Sequence, residues 1–234
     1  MSETGVCIYC LKNASNAKGV EHVIPESLGF KETLPKGYVC DECNNYFSKI
    51  DNTILNNRYI AMQIGTGQIP GKKDKIRKLI GDKLYFPEKD HFSLKSDTLT
   101  ICPGKVKESY DVTFKQNSVF DELKFARGIH KIAFNLYVFQ YRQRAALNQK
   151  FDNLRRYIRN PDKNEFWKYA CKYEPNSNNR YIKENIVIFN TYGLEFLVSL
   201  ANEWDEKIAR NNGYKILYTG NEWNGSSMVG LKEE

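Results

Sequence analysis

Two copies of C-x-x-C, CIYC at 7–10 and CDEC at 40–43, constrain this chain more than any other feature. The full spacing is C-x2-C-x29-C-x2-C, over Cys7, Cys10, Cys40 and Cys43. Each pair can place two thiolates on one tetrahedral ion, and the long loop between them brings the pairs together. Zinc is the natural occupant of such an all-thiolate site. Four thiolates close the tetrahedron, so the ion is structural and has no open position for water or substrate. Binding it helps fold a segment with little core of its own. The N-terminal MSETGVCIYC lacks the charged-then-apolar pattern of a secretory leader, and no apolar run is long enough to span a bilayer. A cytoplasmic chain is therefore expected, where reducing conditions favour metal over disulfides. The remaining cysteines, Cys102 and Cys171, read as buried, inert thiols.

With 234 residues, 41% of them apolar, the chain can bury a substantial core. The pattern predicts an α+β fold, with a small metal-dependent module over 1–62 and a larger mixed α/β domain over 63–234. Within the module, Gly19-Val20 and Val23-Ile24-Pro25 read as a short extended hairpin ended by proline. A helix is expected from near Asn44 or Asn45, because asparagine caps helices well and Phe47, Ile50, Ile54 and Leu55 recur at helical spacing. GTGQIPGKKD at 65–74 reads as a junction, and 83–86, 98–101 and 109–114 as strands. Leu123, Phe125, Ala126, Ile129, Ile132, Ala133, Leu136 and Tyr137 predict an amphipathic helix over 121–146, with a second helix over 151–160. ENIVIFN and GLEFLVSL flank Thr191-Tyr192 as a hairpin, and YKILYT at 214–219 is a final strand.

The net charge of +7 is uneven: the first 62 residues are close to balance, and the basic excess lies in 63–234, densest at 71–83 and 121–160. Such a distribution suits a polyanionic partner, although a lysine-rich solvated surface looks the same.

The cysteine frame encloses EHVIP at 21–25, and CDEC runs on into Asn44-Asn45. Cys-x2-Cys, then Glu-His-Val-Ile-Pro, a glycine (Gly29), and Cys-x2-Cys-Asn-Asn together resemble the HNH nuclease family. More narrowly, they resemble its zinc-knuckle subgroup, in which the last motif carries Asn, on the ββα-metal fold. The resemblance covers about the first 55 residues; ARGIHKIAFNLY at 126–137 resembles companion domains of such modules more weakly.

The resemblance implies a metal-dependent endonuclease that hydrolyses phosphodiester bonds in DNA, in a setting such as bacterial defence or restriction. His22 falls at the general base, which takes a proton from the attacking water; a neutral imidazole suits that work near neutral pH. Glu21 and Asn44 fall at the ligands of a catalytic divalent cation, Mg²⁺ or Mn²⁺, separate from the structural Zn²⁺; Asn45 could take the place of Asn44. Lys49 and Arg58 could contact phosphates from the helix. One position departs from the family: the middle asparagine that orients the histidine has no counterpart in TLPKGYVC at 33–40. A backbone carbonyl or another side chain would have to orient His22.

Taken alone, His22 could be an ordinary surface or core histidine; a fifth zinc ligand is not expected, because the four thiolates already fill the tetrahedron. His130, beside the apolar stripe of the long helix, reads as packing, and His91 as a loop residue. The alternative function is a non-catalytic zinc-knuckle module that binds DNA or protein. Residues 63–234 could hold nucleic acid, or act as a docking or sensing domain for a regulatory protein or a second copy of the chain. No membrane partner is expected.

Overall fold

The computed structural model describes residues 5–57, 60, 64, 84–85, 93–94, 99–103, 110–114, 121–174, 177 and 179–217. Arg58, His91, the 65–74 junction, the side chain of Cys102 and the chain after 217 lie outside them. The fold is α+β, and among the described residues no helix is long and apolar enough to cross a membrane.

The N-terminal module is a knuckle, a hairpin and a helix. Residues 21–23 pair antiparallel with 32–34: Val23 N–H donates to the Glu32 carbonyl at 2.9 Å, and Leu34 N–H to the Glu21 carbonyl at 2.8 Å. The sequence placed the partner strand at 19–20. Pro25 does end the extended stretch, but a 3-10 turn, Glu26–Leu28, then reverses the chain. Gly29 closes that turn at φ 81°, a left-handed conformation that costs glycine little.

Helix α1 spans Asp41–Leu55 and begins right after Cys40, three residues earlier than the asparagines suggested. Cys40 is the extended residue before the helix, while Asp41 and Glu42 place negative charge in its first turn, where the helix dipole favours it. Asn44 and Asn45 therefore lie inside the helix and do not cap it. The Asp41 carboxylate accepts from the backbone N–H groups of Lys18 and Gly19 instead, pinning the chain that enters the hairpin.

Helix α2, Glu122–Ala146, organises the rest. Asp121 caps it by accepting from Lys124 N–H at 2.8 Å, and Arg142 (φ 71°) interrupts it near its end. Every residue from Phe125 to Val138 is buried. A helix buried all round lies between layers rather than on a surface. One side meets α1, where Gly128 allows close approach: a Cβ there would come within 2.7 Å of Ile54 Cδ1. The other side meets a five-stranded antiparallel sheet of order β6-β7-β8-β5-β9. Its strands are β5 (Tyr169–Tyr173), β6 (Arg180–Lys183), β7 (Ile186–Thr191), β8 (Leu194–Ser199) and β9 (Lys215–Leu217). Phe125 of α2 packs on Tyr169 and Phe196 of this sheet. Helix α3, Asp152–Arg159, lies beside α2, and the short α4, Glu206–Asn211, covers part of the sheet's far face through Ala209. Two further antiparallel pairs are β1 (Leu84–Tyr85) with β2 (Ser93–Leu94), and β3 (Leu99–Pro103) with β4 (Tyr110–Phe114). Module residues such as Phe47 and sheet residues such as Phe189 belong to one continuous hydrophobic core.

The β7–β8 turn centres on Tyr192 and Gly193, at φ 53° and 81°, one residue later than the sequence suggested. Positive φ at both central residues matches the twist of a two-residue hairpin. Cys171 is buried, and burial pushes its thiol up to about 12, so it is inert.

His130 is fully buried, with Nδ1 2.8 Å from the Ala126 carbonyl and its ring edge-on to Tyr157 and Trp167. Burial holds its pKa down at about 4, against 6.5 ordinarily, with backbone carbonyls opposing. The unfolded chain therefore takes up this proton first, and stability falls as pH drops from about 6.5 towards about 4. Between pH 7 and pH 5 the expected loss from this group is about 2 kcal/mol. Urea unfolding of the wild type and His130→Phe at both pH values checks it: the variant should lose less stability by that amount.

Candidate active site and metal centre

The fold brings Cys7, Cys10, Cys40 and Cys43 together, with all four sulphur atoms within 4.8 Å of one another. Cys7 Sγ lies 3.6 Å from Cys43 Sγ, and Cys10 Sγ 3.6 Å from Cys40 Sγ. A tetrahedron with Zn–S bonds of about 2.3 Å has edges of about 3.8 Å, so the geometry fits structural zinc.

The electrostatics agree. The bond from Cys43, then the backbone N–H groups around it, hold Cys7 at about 4 against burial. Burial pushes Cys10 up to about 11, and the Cys7 bond followed by burial pushes Cys43 far above the ordinary thiol range. Four thiolates so close repel one another, and a divalent cation is what lets them ionise together. Arg159, at the end of α3, donates to Cys43 Sγ at 2.8 Å and to Glu42 at 3.1 Å, tying the knuckle to the second part of the chain.

The hairpin sets the Glu21-His22 pair. The two residues point to opposite sides, as alternation along an extended chain requires. His22 faces outward, its side chain 28% exposed, with Nε2 3.8 Å from Glu26 Oε2. Glu26 sits one 3-10 turn on, and sequence reasoning did not single it out.

Glu21 faces inward and is 4% exposed. Its Oε1 lies 2.6 Å from Lys131 Nζ, which is also 2.6 Å from Asp51 Oδ1 of α1. Burial alone would depress Lys131, but Asp51 and Glu21 outweigh it, and the amine is held charged above its ordinary value. Burial raises the carboxyl of Glu21, with Lys131 opposing. Asn135 Nδ2 also donates to Glu21 Oε1, at 3.2 Å.

Asn44 lies on the first turn of α1, where its Nδ2 donates to the Val20 carbonyl at 3.1 Å. That bond uses the amide nitrogen, and the amide oxygen is the atom through which Asn44 would bind a cation. For a hard divalent cation the fit is divided: half-buried Asn44 has the right oxygen donor, whereas one oxygen of Glu21 is already shared by Lys131 and Asn135. Lys49 is exposed on α1. Arg58 lies outside the described residues.

What sequence reasoning missed is a polar stripe along α2. Arg127, Lys131, Asn135 and Gln143 recur every fourth or eighth residue and all turn towards the module. Arg127 donates to the Tyr46 hydroxyl of α1 and to the Ile158 carbonyl of α3, the latter at 2.7 Å. Gln143 donates to the Val6 carbonyl at 2.7 Å and the Gly37 carbonyl at 3.3 Å, spanning both limbs of the knuckle. The signal was present as an i, i+4, i+8 row in ARGIHKIAFNLY. Such a row ordinarily marks a solvated face, which hid its role.

No curated protein and no solved structure matches the chain. The stretch that carries the four cysteines, the hairpin and all of α1, residues 7–58, matches the family model described as HNH endonuclease.

Proposed function

We propose that the protein is an endonuclease that hydrolyses phosphodiester bonds in DNA, with His22 as general base. The observation that carries this reading is the orientation of His22: an outward imidazole, on a hairpin fixed from behind, within a stretch similar to HNH endonucleases. His22 takes a proton from a water whose oxygen forms the new bond to phosphorus. The bond from phosphorus to the 3′-oxygen breaks, and that oxygen leaves with a proton from solvent. Glu26, close to Nε2, stabilises the imidazolium that forms.

Mg²⁺ or Mn²⁺, with Asn44 and Glu21 as proposed ligands, would supply positive charge to the scissile phosphate and the leaving oxygen. Lys49, on α1, and the basic second part of the chain are proposed to hold the phosphate backbone, which makes affinity fall steeply with salt. Restriction, or bacterial defence against foreign DNA, fits such an activity.

One observation favours the second reading, a non-catalytic zinc module that binds DNA or protein: Glu21 is an inward-facing partner of Lys131 rather than an open ligand. Incubation with plasmid DNA and with RNA separates the readings, in Mg²⁺ or Mn²⁺, with and without chelator. Metal-dependent cutting of DNA by the wild type supports the nuclease. Shifted mobility without cleavage under every metal supports the binding module.

A further inference from the structure

We infer that Asn135 is the positioning residue for His22, acting from α2 rather than from within the module. The inference rests on the reading of His22 as general base.

The hairpin ladder turns the His22 carbonyl away from its partner strand. His22 and Thr33 are direct partners in an antiparallel bridge. The two backbone bonds run from their neighbours, Val23 to Glu32 and Leu34 to Glu21. His22 and Thr33 are therefore a non-hydrogen-bonded pair, and the His22 carbonyl points away from the partner strand. A carbonyl so directed needs an acceptor's partner from elsewhere.

Asn135 is that partner, 113 residues further on in the chain. Its Nδ2 lies 3.0 Å from the His22 carbonyl, 3.4 Å from the Val23 carbonyl and 3.2 Å from Glu21 Oε1. Its Oδ1 accepts from the Tyr9 hydroxyl at 2.6 Å, which fixes which end of the amide faces the hairpin. Asn135 has no exposed surface, so its aim is set by packing.

Tyr9 lies between Cys7 and Cys10, so the same amide links the metal knuckle to the hairpin. Holding the 22–23 peptides from behind fixes the direction in which the imidazole leaves the backbone. In the 33–40 stretch, Thr33 and Leu34 form the partner strand, and Pro35–Tyr38 then makes a turn, with Tyr38 N–H on the Pro35 carbonyl at 3.2 Å.

A positioning role differs from a merely structural one in what it changes. Buried Asn135 cannot touch nucleic acid, so its loss should leave KM within about two-fold. A displacement near 1 Å of the base lowers the chemical step by about 100-fold. The test uses the full, zinc-loaded chain assayed well below its melting temperature. Asn135→Leu removes the donor at similar volume; Tyr9→Phe removes only the hydroxyl that aims it. Expected are a kcat about 100-fold lower for Asn135→Leu and several-fold lower for Tyr9→Phe, each with KM unchanged.

A second readout is independent of cleavage. The chain has three histidines, so protein labelled with carbonyl ¹³C-histidine gives three signals, and His22→Ala identifies one. That signal should shift in Asn135→Leu, and less in Tyr9→Phe, while those of the other two histidines stay. An unmoved His22 signal overturns the inference, as does unaltered kcat in a wild type that cuts. A wild type that cuts nothing under any metal takes the inference down with the nuclease reading. If Asn135→Leu does not fold, Tyr9→Phe decides by the same two measures.

Discussion

Cys40→Ser is expected to strip the protein of zinc and unfold its N-terminal module. Structural zinc sites of this kind contribute about 10–16 kcal/mol of apparent binding energy in isolated fingers, and that energy is folding energy. Here the module also buries Ile8, Val23, Ile24 and Phe47 in the common core, so its loss exposes apolar surface on α1 and α2. Metal analysis should find one zinc per wild-type chain and essentially none in Cys40→Ser. Thermal unfolding should show a lower midpoint for the variant, and for the wild type after exhaustive chelation. A wild type without zinc, whose midpoint is indifferent to both treatments, would defeat the metal reading.

His22→Ala is expected to do the reverse: abolish chemistry and spare the fold. General-base catalysis contributes about 10²- to 10⁴-fold, and cleavage should fall by that factor. The imidazole is partly exposed and lies outside the hydrophobic core, so its removal leaves little cavity. Zinc content should match the wild type, and the unfolding midpoint should stay close to it. Undiminished cleavage by the variant would sink the assignment of His22 as base. The two variants together separate scaffold from chemistry, because one loses metal and the other keeps it.

The parts of the fold that were legible were those written in local chemistry. Two C-x-x-C pairs have few uses in a chain without other disulfide signals, and they do converge. The apolar rhythm of α2 placed that helix within a residue, and Asp121 caps it. Elsewhere the tertiary context decided. Asn44 and Asn45 have the propensity to cap, yet Cys40 starts α1, because the knuckle fixes where the chain turns. The hairpin partner of 21–23 is set by a ladder to 32–34, and nothing in KETL announces it. Strands β5 and β6 were not foreseen, since YACKY and RYIK are short and mixed in polarity.

Within the site, EHVIP announced His22 but not the direction in which Glu21 faces. That direction depends on Asp51 of α1 and on Lys131 and Asn135 of α2, far from it in sequence, and their meeting requires α1 and α2 to pack at Gly128.

Arg159 has a consequence for the chemical durability of the knuckle. Cys7 and Cys43 are sealed from solvent, and the guanidinium on Cys43 draws electron density from its sulphur. Cys10 and Cys40 are partly accessible. An oxidant or alkylating agent therefore meets a graded target, with attack beginning at Cys10 and Cys40 and the inner pair reacting only after the metal has gone. The knuckle comes apart from its outer edge inward, and hydrogen peroxide would release zinc before it modifies Cys43.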